Sequence, residues 1–64
     1  MRFFVIRMSN GEYLTKVRIV SDYLEYEFTT DREEATPLSD SDSQIVLKRL
    51  RTLRETRAKR EEME

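Results

Sequence analysis

Residues 23–29 alternate cleanly, with Leu24, Tyr26 and Phe28 set against Glu25 and Glu27. Successive side chains of a strand point to opposite faces, so this period of two predicts a strand with one buried face and one wet face. Residues 2–8 are rich in aromatic and β-branched types and read as an earlier strand, and residues 12–20 read as another. Between these two lies Ser9-Asn10-Gly11, and Asn-Gly is a strong hairpin signal because both residues tolerate positive φ. Ser21-Asp22 supplies the next turn. The pattern predicts a three-stranded antiparallel meander over residues 2–29.

Phe4, Ile6 and Met8 of the first strand and Leu24, Tyr26 and Phe28 of the third form the expected inner face. For the middle strand, Tyr13, Thr15, Val17 and Ile19 oppose Leu14, Lys16, Arg18 and Val20; the charges of the second set assign the first set inward. Lys16 and Arg18 then lie near Glu25 and Glu27 on the outer face, where opposite charges across strands contribute about 0.2–1 kcal/mol each.

Residues 30–39 read as a connector with a short helical turn. Thr30-Asp31-Arg32-Glu33 has the form of a capping box, the turn running through Glu34 and Ala35 until Pro37 stops it. Leu38, a lone apolar residue, is expected to plug the core or to staple the next helix. Asp40 or Ser41 is the expected N-cap of that helix, with Gln44 three positions after Ser41. Residues 40–64 are assigned to one basic C-terminal helix with a frayed end. Its stripe of Val46, Leu50 and Leu53, widened by Ile45 and Leu47, should pack on one sheet face. Acids at its start suit the helix dipole, whereas Glu61, Glu62 and Glu64 oppose it. The fold class is therefore α+β, a meander with one helix.

Sixty-four residues allow a single domain, 1–64, that buries only about 60% of its unfolded surface. Small domains compensate with disulfides, metals or oligomerisation. Cysteine and histidine are both absent, which removes disulfides, thiolate zinc sites and the commonest general base. A homodimer is the remaining compensation. No run approaches the ~18 apolar residues of a membrane span, and the N-terminus has no leader pattern, so the chain is expected to be soluble and cytoplasmic.

The net charge of −1 conceals strong segregation. Residues 1–21 carry a balance of +3, residues 22–43 of −7, residues 44–60 of +6, and the last four of −3. The basic block makes Lys48, Arg49, Arg51, Arg54, Arg57, Lys59 and Arg60 the candidate contacts for a partner or a nucleic acid, since arginine forks suit phosphate and a helix fits the major groove. The i,i+4 pairs Arg51–Glu55 and Arg57–Glu61 balance part of that charge, and a solvated helix face would use the same residues. Phe3, Tyr13 and Tyr23 remain after the inner face is assigned; sharing the outer face, they would form a patch for self-association.

Enzymatic chemistry finds no support. The serines sit in turn-like polar stretches without a base. Glu25 and Glu27 flank basic neighbours on an open face, whereas catalytic carboxylates need burial. Asp40-Ser41-Asp42 lacks the glycine and terminal glutamate of a calcium loop. No phosphate loop is present, and no cofactor, metal or small-molecule substrate is expected.

The succession Arg2-Phe3-Phe4-Val5-Ile6, Asn10-Gly11-Glu12-Tyr13-Leu14, Phe28-Thr29-Thr30-Asp31 and Glu34-Ala35-Thr36-Pro37-Leu38, followed by an amphipathic helix, resembles small phage- and prophage-encoded sheet-plus-helix proteins of unknown function. The resemblance covers residues 2–53 with loose motifs, and departs from the family where Leu38 replaces an aromatic. It implies a non-enzymatic accessory protein in a phage or prophage setting, binding a host or phage protein. A nucleic-acid-binding accessory using the arginine-rich helix is the alternative.

Overall fold

A computed structural model describes residues 2–52 and 57–63. The expected meander is present as β1 (Phe3–Arg7), β2 (Tyr13–Ile19) and β3 (Leu24–Thr29). A 3-10 turn over Arg32–Glu34 leads to β4 (Leu38–Ser39), helix α1 (Asp40–Thr52) and a final strand, β5 (Lys59–Glu62). The fold is α+β, but among the described residues the sheet has five strands instead of three, and the helix lies between strands instead of ending the chain.

The strand pairing makes β1 the central strand. Arg7 is paired with both Tyr13 and Lys59, and Phe4 with both Leu38 and Glu62. A strand residue has only two edges, so β5 takes one edge of β1 while β2 and β4 share the other. Phe4, Val5 and Ile6 are accordingly all buried. A short continuous apolar run of this kind is what a doubly covered strand requires. It is the physical reason the chain beyond Thr52 returns to the sheet: β1 offers an unpaired backbone edge, and burying its N–H and C=O groups without partners would be costly. Ala58 is buried in the core as the chain arrives.

The hairpin between β1 and β2 follows the expected chemistry. Gly11 has φ +90°, a conformation that only glycine adopts without strain, and its N–H donates to the Met8 carbonyl at 3.0 Å. The Asn10 side chain accepts from Glu12 N–H at 3.0 Å.

β2 departs from simple alternation. Leu14 is fully buried while Tyr13 is only half-buried, the reverse of the assignment made from the charges. Val17, four residues after Tyr13 and on the expected side, does pack against the core. Both observations follow from a bulge. Thr15 pairs with Glu27 and Arg18 with Glu25, so Lys16 and Val17 oppose Tyr26 alone. One inserted residue flips every later side chain to the other face. Lys16 is the residue that absorbs the kink, at φ +53°. The connector completes the bulged edge: Val17 N–H donates to Thr36 Oγ1 at 3.1 Å, Thr36 N–H to the Leu14 carbonyl at 3.1 Å, and Thr15 Oγ1 to the Glu34 carbonyl at 2.6 Å.

Two caps lie one residue away from the expected positions. Asp31, instead of Thr30, caps the 3-10 turn by accepting from Glu33 N–H at 2.9 Å. Ser39, instead of Asp40 or Ser41, caps α1 by accepting from Asp42 N–H at 3.2 Å. Because Ser39 also ends β4, one residue closes a strand and opens the helix.

The core gathers Ile6, Met8, Leu14, Leu38, Val46, Leu50 and Ala58, with Val17, Leu24, Tyr26 and Leu47 packed around them. Of the expected partners Phe4, Ile6, Tyr26 and Phe28, Ile6 shares this core with Val46 and Leu50 and Tyr26 packs against it, whereas Phe4 is buried outside the cluster; Leu53 lies outside the described residues. Phe28, assigned inward, is 48% exposed at the end of its strand, and Ile45 is 39% exposed. Glu25 and Glu27 lie on the opposite face, 3.5 Å from Arg18 and 3.6 Å from Lys16.

Candidate binding groove

The seven candidate bases do not share one helix. Lys48, Arg49 and Arg51 lie on α1, Arg54 falls outside the described residues, Arg57 stands in a turn, and Lys59 and Arg60 are on β5. The expected helical pair Arg57–Glu61 therefore does not form. Glu61 instead accepts on the outer face from Arg7 at 3.4 Å, Arg32 at 3.3 Å and the Tyr13 hydroxyl at 3.5 Å. This cluster lies beside Val5, the strand partner of Glu61, and helps to explain how Val5 is covered on the face away from α1. Glu55, the other expected acidic partner, is outside the described residues.

Arg49 is committed to the fold. Its guanidinium donates to the carbonyls of Val20, Tyr23 at 2.7 Å and Ser21 at 3.4 Å, closing the β2–β3 turn. The planar fork, with several fixed donors, satisfies a cluster of carbonyls that a lysine could meet only in part. This engagement takes Arg49 out of the candidate set. Of the three leftover aromatics, Tyr23 stands 54% exposed at this turn and Phe3 40% exposed on β1, while the Tyr13 hydroxyl is held at Glu61.

Arg60 joins β5 to the start of α1. It donates to Asp40 and, at 3.1 Å, to Ser43 Oγ, and its guanidinium lies 4.3 Å from the centroid of the Phe4 ring. A cation over an aromatic face is attracted by the ring quadrupole, so the same contact covers Phe4 and orients the arginine. Ser43 is fully buried but satisfied, since its hydroxyl also donates to the Asp40 carbonyl at 2.8 Å. Hydrogen bonds from the Gln44 amide and then from Arg60 hold the Asp40 carboxyl below its ordinary range. At the far end of β5, Arg2 donates to Glu62 at 2.7 and 2.8 Å; this bond raises the Arg2 pKa and lowers that of Glu62.

Lys48, Arg51 and the Asp40–Arg60 ion pair line an open groove of about 750 Å³ between α1 and β5, together with Ile45 and Leu47. The i,i+4 and i,i+3 spacing of Gln44, Lys48 and Arg51 puts them on one line along the helix. No ion pair engages Lys48 or Arg51 among the described residues. Arg57 and Lys59 instead line a smaller notch of about 340 Å³ with Arg7 and Met8. Sequence reasoning thus found three residues of the groove but missed its apolar lining. Ile45, on the flank of the expected core stripe, is 39% exposed and lines the groove.

Comparison with known proteins finds no matching family model, no matching curated protein and no matching solved structure. Among the described residues no helix is long and apolar enough to cross a membrane.

Proposed function

We propose that this chain is a non-enzymatic binding protein that uses the α1–β5 groove to hold an acidic segment of a protein. The observation that carries the reading is the placement of Lys48 and Arg51 beside Ile45 and Leu47, in a groove where Arg60 is already paired to Asp40. Cations beside apolar side chains suit an amphipathic acidic segment, which supplies carboxylates to the rim and an apolar side chain to the centre. The segment belongs to a host or phage protein, in keeping with the accessory role implied by the resemblance of residues 2–53. A second copy is the alternative source, because residues 22–43 carry a balance of −7.

The nucleic-acid reading rests on the same Lys48 and Arg51, but the bases are divided between α1, a turn and β5. An acidic amphipathic peptide and a duplex oligonucleotide, each titrated at low and moderate salt, separate the two. The protein reading expects saturable peptide binding that the double variant Lys48→Ala/Arg51→Ala abolishes. Tight duplex binding with a steep salt dependence, and no peptide binding, would refute it. Light scattering distinguishes a second copy from a foreign partner.

A further inference from the structure

β3 is the outer strand of the sheet, hydrogen-bonded to β2 and, among the described residues, to no strand on its other side. An unpaired edge presents a row of backbone donors and acceptors that templates another strand. Here the edge carries a strict alternation. Leu24, Tyr26 and Phe28 face the helix side, where Phe28 remains 48% exposed and meets Tyr26 edge-on at 5.5 Å. Glu25 and Glu27 face the outer side.

The chemistry of the matching strand is already visible on the inner neighbour. β2 answers Glu25 with Arg18 and Glu27 with Lys16, while Val17 and Leu14 serve the core face. These ion pairs are largely exposed and leave room for a second row of cations on the free side of the carboxylates. A second copy of β3 does not supply it. Antiparallel self-pairing that keeps the helix-side faces together sets Glu25 opposite Glu25, or Glu25 opposite Glu27, and like charges directly opposite are destabilising.

We propose that the free edge of β3 takes up an extended segment of another protein in which basic and apolar residues alternate. Its basic side chains lie beside Glu25 and Glu27, and its apolar ones beside Tyr26 and Phe28. This surface is distinct from the basic groove, and its ligand has the opposite charge.

The test uses the full chain and two synthetic peptides of the same composition, one alternating Lys or Arg with Val or Ile and one with the order scrambled into blocks. The alternating peptide should bind saturably and slow amide exchange across Leu24–Thr29. The double variant Glu25→Gln/Glu27→Gln, checked for folding by circular dichroism, should weaken binding about tenfold. Lys48→Ala/Arg51→Ala should leave it unchanged. Equal binding of the scrambled peptide, protection that appears elsewhere than β3, or no saturable binding would each overturn the proposal. So would self-association of the chain that protects Leu24–Thr29 from exchange and survives Lys48→Ala/Arg51→Ala, because that result would place a second copy on this edge.

Discussion

Lys16 offers a direct check on the bulge that gives β2 its two parities. An ordinary outward strand position favours valine over lysine and disfavours glycine, on a scale spanning about 1 kcal/mol. At φ +53° the preference should invert. The left-handed region costs a non-glycine residue about 1 kcal/mol, and a β-branched residue more, because Cβ crowds the following carbonyl. Lys16→Gly removes that strain. It also loses the ion pair with Glu27, which at 3.6 Å between largely exposed groups contributes at most about 1 kcal/mol, and it adds backbone freedom to the unfolded chain. These contributions nearly cancel, so Lys16→Gly should melt within a few degrees of the parent. Lys16→Val loses the same pair and adds strain, for a net destabilisation of about 1–2 kcal/mol. In a domain of this size that lowers the melting temperature by about 4–16 °C. Thermal unfolding followed by circular dichroism at neutral pH reads the order directly. A valine variant more stable than the glycine variant would show that β2 is a regular strand and that Leu14 and Val17 reach the core together for another reason.

Leu50 is fully buried in the core, so Leu50→Ala should cost about 2–5 kcal/mol, enough to unfold most of so small a domain, as urea titration would show. Arg49→Lys keeps the charge but loses the fork over the Val20, Ser21 and Tyr23 carbonyls; it should destabilise by about 1–2 kcal/mol and speed amide exchange at the β2–β3 turn. Asp40 and Glu62 have folded pKa values below their ordinary 3.8 and 4.5, so the folded state binds fewer protons than the unfolded one. Their contribution is complete above those ordinary values and is lost as the pH falls through the lowered ones. Melts taken between pH 6 and 2.5 should show this loss, and Asp40→Asn should reduce it.

Much of the architecture was legible from local pattern. The period of two in residues 23–29, the Asn10-Gly11 turn and the stripe through Val46 and Leu50 each state a local preference strongly enough to survive packing, and the corresponding elements are all present. The cross-strand pairs of Glu25 and Glu27 with Arg18 and Lys16 follow from the same alternation. Charge alone misled in β2, because a bulge is set by how the hairpin must twist to reach the connector at Thr36, and no single residue type announces it.

The candidate site was less legible, for a related reason. Lys59-Arg60-Glu61-Glu62 carries little preference for a strand and reads as a helical tail. The unpaired edge of β1, whose Phe4-Val5-Ile6 run is buried on both faces, draws it into the sheet. That pairing moves Arg60 onto Phe4 and Asp40, leaves Lys48 and Arg51 facing a groove, and turns one presumed stripe of bases into separate surfaces. Which segments are amphipathic and where the turns fall follow from the order of residues alone, since those depend on neighbours along the chain. Which backbone edge each strand fills, and so which charges meet, was decided only when distant segments competed for the same partner.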